Sequence, residues 1–332
     1  MNVMKVTVRS FAKINIGLAI GPSRADGFHE LTTVYQTIGL HDRLQVSISR
    51  QTAGLSVEIT CRDVRVPTGE SNTCWRMAAE VMRAFGQRGK VTIHIEKRLP
   101  VQGGLGASSS NAAATLMAIE YLLHKRLDPA DRWKIAELVG SDVPLFLVGG
   151  AVLGIGRGEQ VFPLPSLPKI NCVVAFPQGG ISTPHAFRDW DEISPQPPRP
   201  KLTGDLGSDR IKVFSRTISN WLSGSPTGVS ARGRNRAEAL LLDLVRTGIA
   251  NDFERVVFLQ HPELAGVKRW LKQSGSSYTS LSGSGSSIYG LFSAKTAALD
   301  AVSQLKRRGI RAQASSFLSR EEYQRRILVA QD

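Results

Sequence analysis

The sequence predicts a globular protein of mixed helices and strands, in two domains of ordinary size or one large domain. Its 332 residues are 42% hydrophobic and 21% charged, which supplies enough apolar side chains for a proper core. Some stretches alternate hydrophobic and polar residues, as half-buried strands do, whereas others are rich in alanine and leucine over the length of a helix. Helices and strands are therefore both expected.

Strands are predicted at the beginning of the chain. Residues 5–20 place isoleucine and leucine on one face and Lys13 and Asn15 on the other. This alternation predicts a strand pair or one long bent strand. Residues 43–49 and 54–60 alternate in the same way, and we predict that they form a β-hairpin.

Helices become more frequent after the first strands. A helix is predicted over residues 71–85 and a strand over 91–95. Two further helices, 111–123 and 129–139, follow a glycine- and serine-rich loop at 100–110. The second of them ends at a glycine, the residue type that commonly terminates helices.

The remaining chain repeats this mixture of elements. It is predicted to contain a strand at 171–176, a strand–glycine turn–strand unit at 278–292, a helix at 294–308 and a last strand at 312–316. Residues 195–200 are rich in proline, and residues 222–236 are rich in serine, glycine and arginine. Both segments are predicted to be exposed loops.

A change in composition after Gln160 marks a candidate domain boundary. Three prolines lie close together there, between residues 163 and 168, just before a predicted strand. Because prolines interrupt regular structure, such a cluster favours a linker. We therefore predict one domain over residues 1–166 and another over residues 167–332.

The net charge of +14 and a pI near 10 favour anionic ligands such as nucleotides, phosphorylated substrates or nucleic acid. The basic residues are spread along the chain, so an ordinary solvated basic surface is an equally simple explanation. The three cysteines, Cys61, Cys74 and Cys172, lie far apart without metal-ligand spacing, which predicts packing roles in a reducing compartment.

No membrane association is expected from the sequence. No apolar run approaches the roughly 20 residues needed to cross a bilayer. The beginning of the chain leads directly into a strand-like pattern, without the apolar region of a signal peptide or the arginine- and serine-rich pattern of a presequence. A cytoplasmic location is therefore predicted.

The loop from Gly103 to Ser110 is the strongest local indication of a binding site. Glycines allow the backbone to approach a ligand closely, and the free N–H groups at the start of a helix attract phosphate. The three serines could bind phosphate oxygens or Mg²⁺. The spacing matches neither the Walker A loop nor the GxGxxG motif, so a flexible connector remains the alternative.

Two charged residues could carry chemistry next to this loop. Asp142 lies in a turn between two ordered segments, where it could accept a proton from a substrate alcohol or simply cap the following helix. Lys13 lies on the polar face of a strand, where it could hold that carboxylate ionised or be an ordinary surface lysine. A second glycine turn, at residues 281–286, could complete a phosphate clamp or be only a mobile turn.

Six short motifs give the chain a resemblance to a known superfamily. The phosphate loop resembles that of the GHMP kinases, which include galactokinase, homoserine kinase and mevalonate kinase. The other motifs, in the same order along the chain, are Ala12-Lys13-Ile14-Asn15, Arg24-Ala25-Asp26-Gly27-Phe28-His29-Glu30-Leu31, Gly140-Ser141-Asp142-Val143-Pro144, Gly156-Arg157-Gly158-Glu159 and Ser282-Gly283-Ser284-Gly285. They are most similar to the branch that phosphorylates the 2-hydroxyl of a cytidine-diphosphate-linked methylerythritol in the non-mevalonate route to isoprenoid precursors.

The resemblance implies an α+β protein with the GHMP kinase fold. It would have a ribosomal-protein-like N-terminal domain that binds ATP and a ferredoxin-like C-terminal domain that contributes to the substrate pocket. ATP and Mg²⁺ are the implied cofactors, and a cytidine-diphosphate alditol is the implied small-molecule partner. Neither nucleic acid nor membrane is implied, the expected state is a monomer or weak homodimer, and the metal ligands are not identified.

Roles follow from the resemblance by matching position. Asp142 would be the general base and Lys13 its cationic partner. The residues implied to bind the nucleotide are Asn72, Lys97, Pro100, Gly103, Gly104, Leu105, Gly106, Ala107, Ser108, Ser109 and Ser110. The residues implied to bind the substrate are Asn15, Phe28, His29, Thr183, Phe187, Gly283, Ser284 and Gly285. Phe28 and Phe187 would stack on the cytosine and His29 would bind its edge.

Two other functions are considered. Another GHMP kinase, acting on homoserine or a mevalonate derivative, would share the loop but would not need Phe28 and His29 to bind cytosine. A nucleic-acid-binding protein would fit the charge and the ribosomal-protein-like fold, but it would leave Asp142 and the glycine loops without a role.

Overall fold

Two β-sheets organise the chain. The computed structural model describes residues 4–49, 54–193, 206–223 and 236–329. The strands are β1 (Met4–Ser23), β2 (His29–Ser49), β3 (Leu55–Cys61), β4 (Gly89–Glu96), β5 (Ala151–Gly156), β6 (Gln160–Pro163), β7 (Asn171–Phe176), β8 (Tyr278–Leu281), β9 (Ile288–Phe292) and β10 (Arg311–Ser316). The first sheet has the order β3-β4-β2-β5-β6 with β1 paired to β2, and the second has the order β10-β7-β9-β8.

Eleven helices in the described residues connect and cover these sheets. They are α1 (Thr73–Ala84), α2 (Ala107–Leu123), α3 (Pro129–Val139), α4 (Val143–Val148), α5 (Thr183–Ile193), α6 (Leu206–Ser223), α7 (Arg236–Thr247), α8 (Glu254–Gln260), α9 (Pro262–Gln273), α10 (Lys295–Arg307) and α11 (Arg320–Ile327).

Of the two alternatives predicted for residues 5–20, a strand pair or one long bent strand, the structure shows the long bent strand, β1. It pairs with β2 along almost its whole length, and three register irregularities interrupt the pairing. Strand β1 therefore reaches several cores in succession: Val8 packs into the core of the first sheet, Ile14 into that of the second sheet, and Ile20 into a third cluster. One strand in this way joins both halves of the protein.

The predicted hairpin of residues 43–49 and 54–60 is wrong. Strand β4 lies between β2 and β3, and β3 runs parallel to β4. Parallel neighbours need a crossover connection, and α1 provides it because residues such as Met77 and Val81 of this helix are buried in the first core. Alternation alone predicted the strands but could not distinguish a hairpin from this crossover.

The first half of β2 was not predicted. Its residues from Leu31 to Ile38 are buried on both faces, so hydrophobic and polar side chains do not alternate there. Helix α2 also begins earlier than predicted, at Ala107, which places the serines at 108–110 in its first turn.

The sheets change between β6 and β7, near the predicted boundary at residue 166. However, Tyr323 and Ile327 of α11 return to the core of the first sheet, so the division into 1–166 and 167–332 remains a prediction. The loop predicted at 222–236 is wrong at its ends, because α6 extends to Ser223 and α7 starts at Arg236. The rest of that loop, and all of 195–200, lie outside the described residues.

Two of the three cysteines are core residues, as the sequence predicted. Cys74 packs in the first core and Cys172 in the second, and all three thiols are free. Burial raises the pKa of both buried thiols to about 12, so they remain protonated near neutral pH. Within the described part of the chain, no helix combines the length and the apolar character needed to span a bilayer.

A buried carboxylate fixes the segment that leads into the glycine-rich loop. Asp42 on β2 has no exposed surface. Its oxygens accept hydrogen bonds from Lys97 Nζ at 2.6 Å, from the backbone N–H groups of Arg98 and Leu99 at 2.7 and 2.8 Å, and from Asn111 Nδ2 at 3.3 Å. The same carboxylate therefore holds the end of β4 and the second turn of α2, on both sides of the loop.

We predict that Asp42→Ala destabilises the protein strongly. The change leaves the buried Lys97 ammonium and two backbone N–H groups without an acceptor, which typically costs about 3–5 kcal/mol of unfolding free energy. The control is Asp243→Ala, which removes an ion pair to Arg246 on the exposed surface of α7 and should cost at most about 1 kcal/mol. Chemical denaturation measures both, and equal losses in the two variants would contradict the anchoring role.

Candidate active site

A cavity of about 590 Å³ lies between the two glycine turns and is lined by both halves of the chain. Most residues that the sequence predicted as site residues line it. They are Lys13, Asn15, Phe28, His29, Asn72, Lys97, Pro100, Gly103, Gly104, Leu105, Gly106, Ala107, Ser108, Ser109, Asp142, Thr183, Phe187, Gly283 and Ser284. The fold thus brings together residues that are up to 271 positions apart in the sequence, the span from residue 13 to residue 284.

Lys13 and Asp142 form an ion pair at the centre of this cavity. Lys13 Nζ lies 3.5 Å from Asp142 Oδ2 and donates a hydrogen bond to Asn15 Oδ1 at 2.7 Å. Lys13 is only 3% exposed, so it is not a solvated surface lysine. The Asp142 side chain does not cap α4, which removes the capping explanation and leaves its carboxylate facing the cavity.

A tyrosine that the sequence did not indicate completes this group. The Tyr35 hydroxyl donates to Asp142 Oδ1 at 3.1 Å, and Lys13 Nζ lies 5.4 Å from the centre of the Tyr35 ring. Burial, reinforced by the charge of Asp142, raises the pKa of the Tyr35 phenol well above its ordinary value. Tyr35 therefore stays protonated and orients the carboxylate as a hydrogen-bond donor.

Burial also acts on the lysine of the pair. It lowers the pKa of the Lys13 ammonium below that of an ordinary lysine, and the adjacent Asp142 carboxylate opposes this effect. The carboxylate is therefore the main interaction that keeps the buried cation charged.

The first glycine turn leads into α2, and the first three residues of this helix line the cavity. Gly106 has φ +66° at the N-cap, and the first helical hydrogen bond runs from Ser110 N to Gly106 O at 2.8 Å. The preceding N–H groups have no partner within the helix, and the helix dipole adds positive potential at this end. The arrangement is suited to binding phosphate.

The two glycine turns contact each other. Ser282 Oγ donates to Gly104 O at 2.9 Å, and Ser287 N donates to Gly103 O at 3.2 Å. Gly104 has φ +72°, and a Cβ there would overlap the carbonyl oxygen of Ser282. Only glycine allows this approach, so the two turns are ordered against each other and are not independent flexible connectors.

Asn251, another residue that the sequence did not indicate, stabilises the second turn through its side-chain amide. Its Nδ2 donates to Leu281 O at 2.9 Å and to Gly283 O at 2.8 Å. The side chain is almost fully buried. One amide therefore holds two carbonyls of the second turn in position.

Aromatic side chains line the other end of the cavity. The His29 and Phe187 rings stack with a centroid distance of 5.0 Å and an interplanar angle of 6°. His29 Nε2 lies 2.7 Å from Asp191 Oδ1, which orients the imidazole. Phe28 is 49% exposed at the mouth. All three rings line the cavity, and aromatic rings are suited to binding a flat base.

Asn72 and Lys97 lie at the loop side of the cavity, but their side chains already have partners. Asn72 caps α1 by accepting from Cys74 N at 2.8 Å and donates to Pro67 O at 2.6 Å. Lys97 is bound to Asp42. Their polar atoms stabilise the segments that line the predicted nucleotide site. Either side chain would have to break an existing hydrogen bond or ion pair before its polar atoms could bind a nucleotide.

Two predicted site residues do not line the cavity. Ser110 points into the protein, where its hydroxyl donates to Phe11 O at 2.7 Å, because the helix has already turned it away from the loop. Gly285 is turned toward Leu281 and Ile181. Sequence adjacency to the glycine turns suggested both residues, but the direction of each residue excludes them from the cavity surface.

The donors present fit a magnesium ion that arrives with a nucleotide. The hydroxyls of Ser108 and Ser109 belong to cavity-lining residues, and Asp142 offers one carboxylate. No group of three or more histidine, cysteine, aspartate or glutamate side chains in the described chain could hold a metal alone. Mg²⁺ typically uses one or two protein oxygens together with substrate phosphates and water, and this donor set meets that need.

Comparison with known proteins assigns the family. The model of the GHMP kinases N terminal domain matches residues 72–150, and that of the GHMP kinases C terminal matches residues 235–311. A 4-diphosphocytidyl-2-C-methyl-D-erythritol kinase from Solibacter usitatus is 39% identical over 302 residues, which are 90% of this chain and 84% of the relative. The chain belongs to the 4-diphosphocytidyl-2-C-methyl-D-erythritol kinase family of the GHMP kinases.

Solved structures agree with this assignment. A crystal structure of a 4-(cytidine 5'-diphospho)-2C-methyl-D-erythritol kinase has a TM-score of 0.69 at 30% identity and covers 94% of this chain and 98% of its own. A homoserine kinase from Cytophaga hutchinsonii has a TM-score of 0.70 at 19% identity, with 95% of each chain covered, and at that identity it shares the fold alone. The predicted α+β GHMP kinase fold is confirmed, and the protein is a kinase.

We predict that Gly104→Ala destabilises the contact between the two turns. Alanine at φ +72° would be strained, typically by about 1–2 kcal/mol, and its overlap with Ser282 O adds about 1–3 kcal/mol. The control is Gly86→Ala, which has a similar φ of +61° but no atom within 4 Å of its Cβ, so that only the backbone strain remains. Thermal or urea denaturation measures the difference, and equal losses would show that the close approach of the turns contributes nothing.

Proposed function

We propose that the protein transfers the γ-phosphoryl group of ATP to the 2-hydroxyl of 4-diphosphocytidyl-2-C-methyl-D-erythritol, a step in the formation of isoprenoid precursors. The observation that carries this proposal is the Lys13–Asp142 ion pair at 3.5 Å. It lies in one cavity with a phosphate-binding helix start and an aromatic cluster. The relatives with this activity in their names support the choice of substrate.

The residues near the first glycine turn would bind the nucleotide. In phosphoryl transfer the protein takes little part in covalent chemistry. The rate depends on the alignment of the two reactants and on electrostatic stabilisation of the transferred group. The free N–H groups at the start of α2 would hold the phosphates, with the second glycine turn closing over them. Magnesium, held by Ser108 or Ser109 and by the phosphates, would neutralise charge on the phosphate oxygens.

Asp142 would act as the general base. Its carboxylate would accept the proton of the acceptor hydroxyl as the bond to phosphorus forms. Lys13, beside it, would stabilise the anion and offset negative charge on the transferring group. Tyr35 would keep the carboxylate turned toward the cavity through its hydrogen bond at 3.1 Å.

The aromatic end of the cavity would bind the cytidine. Stacking of a base on aromatic side chains contributes about 1–3 kcal/mol, and Phe28 and Phe187 offer such surfaces. His29, held at Nε2 by Asp191, could use Nδ1 to bind the edge of the base. Homoserine and mevalonate derivatives carry no nucleobase, so they would make no use of this aromatic surface.

An ADP-release assay with different acceptors tests the function. We expect turnover with 4-diphosphocytidyl-2-C-methyl-D-erythritol and none above background with homoserine, mevalonate or phosphomevalonate. Preferential turnover of any of these three would replace the proposed substrate. Salt-sensitive binding of nucleic acid without ADP release would instead favour the nucleic-acid-binding alternative. A cytoplasmic location and a monomer or weak homodimer remain predictions.

We predict that Asp142→Asn and Asp142→Ala both lower kcat by about 10²–10⁴-fold while the KM for the cytidine substrate changes little. The asparagine variant keeps the shape but cannot accept a proton at neutral pH, so it separates chemistry from packing. Steady-state kinetics, together with circular dichroism to confirm folding, measure the effect. Turnover near that of the wild type in either variant would exclude Asp142 as the base.

A further inference from the structure

The motif Gly156-Arg157-Gly158-Glu159 has no role in the mechanism above, yet Arg157 lines the cavity. We propose that the Arg157 guanidinium binds the diphosphate of the acceptor, between the cytidine pocket and the phosphoryl-transfer centre. This inference rests on the proposed function, because it concerns how the same substrate is held. It identifies a specificity residue that distinguishes a nucleoside-diphosphate-linked alcohol from a free alcohol.

The first argument for this proposal is the position of Arg157. The Arg157 guanidinium carbon lies 4.9 Å from the centre of the Phe28 ring, at the end of the cavity proposed for the base. The next residue, Gly158, lies beside the catalytic pair, since a Cβ on it would be 3.9 Å from Asp142 Oδ1. In the proposed acceptor, the diphosphate connects the cytidine to the alcohol. The guanidinium of Arg157 therefore contacts a residue proposed to bind the base, and the next residue in the chain approaches Asp142.

The second argument is the way in which the basic side chains of the cavity are paired. Among the described residues, four lysine and arginine side chains line it. Three have close carboxylate partners, namely Lys13 with Asp142 at 3.5 Å, Arg65 with Asp63 at 2.6 Å and Lys97 with Asp42 at 2.6 Å. Arg157 also has a carboxylate partner, because its Nε lies 3.6 Å from Glu159 Oε1, but no hydrogen bond joins the two groups. That Nε is buried and has no hydrogen-bond partner within the described part of the chain.

The turn that carries Arg157 is held in place without using its guanidinium. Its backbone N–H donates to Glu159 Oε2 at 2.6 Å, and Gly156 N donates to Glu30 Oε1 at 3.2 Å. Gly158 N closes the turn on Ile155 O at 3.0 Å. The guanidinium is therefore presented by an ordered backbone and keeps donors available for a ligand.

The chemistry of the two groups is complementary. A guanidinium presents N–H donors in a planar fork that matches two phosphate oxygens, and such charge-assisted pairs are stronger than neutral hydrogen bonds. Lys97 and Arg65 lie beside the predicted nucleotide site and are paired. Lys13 is paired with the proposed base. Arg157 forms an ion pair with Glu159 that includes no hydrogen bond, so its guanidinium keeps N–H donors for the acceptor's diphosphate.

Binding measurements with cytidine, CMP and CDP test the proposal on the full-length chain. They are made by titration calorimetry with saturating ADP present, so that the nucleotide site is filled. For the wild type, CDP should bind more tightly than cytidine. In Arg157→Gln, the ratio of the cytidine Kd to the CDP Kd should fall by about 10- to 100-fold, the loss expected for a charged hydrogen bond. The cytidine Kd itself should stay within about twofold.

The controls separate the two levels of the proposal. Arg83→Gln makes the same charge change on an exposed arginine of α1 that pairs with Glu80, and it should leave the ratio unchanged. An unchanged ratio in Arg157→Gln, with a wild type that prefers CDP, would overturn the role of Arg157 and leave the proposed function intact. A wild type that binds none of the three cytidine ligands would overturn both. An equal loss of ADP affinity in Arg157→Gln would assign the residue to the nucleotide and would also overturn the inference.

Discussion

The close approach of two glycine turns is the constraint on which the rest of the site depends. Gly104 and Ser282 come from different halves of the chain, and a side chain at position 104 would separate them. Ser282 and Ser287 then fasten the second turn to the carbonyls of the first. Because the turns are fixed against each other, the cavity has a defined end where phosphate can bind, and the distance from that end to Lys13 and Asp142 is set by backbone.

Buried charge is concentrated around this constraint in two groups. One is Asp42 with the ammonium of Lys97, which holds the approach to the first turn. The other is Lys13 with Asp142, which faces the cavity. A buried ion is costly unless it is paired and hydrogen-bonded, and the protein meets that condition fully in the first group. In the second, Asp142 keeps partly exposed oxygens available for a substrate, and Asn15 and Tyr35 reduce the cost.

The sequence supplied candidates for the local chemistry of the site. Glycine spacing indicated both turns as possible phosphate sites, and the resemblance to the GHMP kinases implied Asp142 as the base, because such short motifs depend on residues that are adjacent in the chain. Tyr35, Asp42 and Asn251 could not be predicted in this way. Their roles arise from strand pairing and from a long-range return of the chain, and each is an ordinary polar residue until the fold places it against its partner.

The fold was predictable to a similar degree. The long strand β1 could be recognised because one of its faces is polar, whereas the first half of β2 is buried on both sides and shows no alternation. The order of β3 and β4 could not be read from their patterns, since an alternating strand fits either a hairpin or a crossover. Family resemblance supplied the fold class, but not the order of these two strands.

The return of α11 to the first core has a consequence for biosynthesis. Tyr323 donates its hydroxyl hydrogen to Phe146 O at 2.6 Å, and Phe146 belongs to the short helix that follows Asp142 directly. The support for the segment that carries Asp142 therefore comes from a part of the chain translated some 180 residues later, the separation between positions 142 and 323. A ribosome-bound nascent chain that has already folded its first sheet would still lack this support, and the finished geometry must wait until α11 has left the exit tunnel.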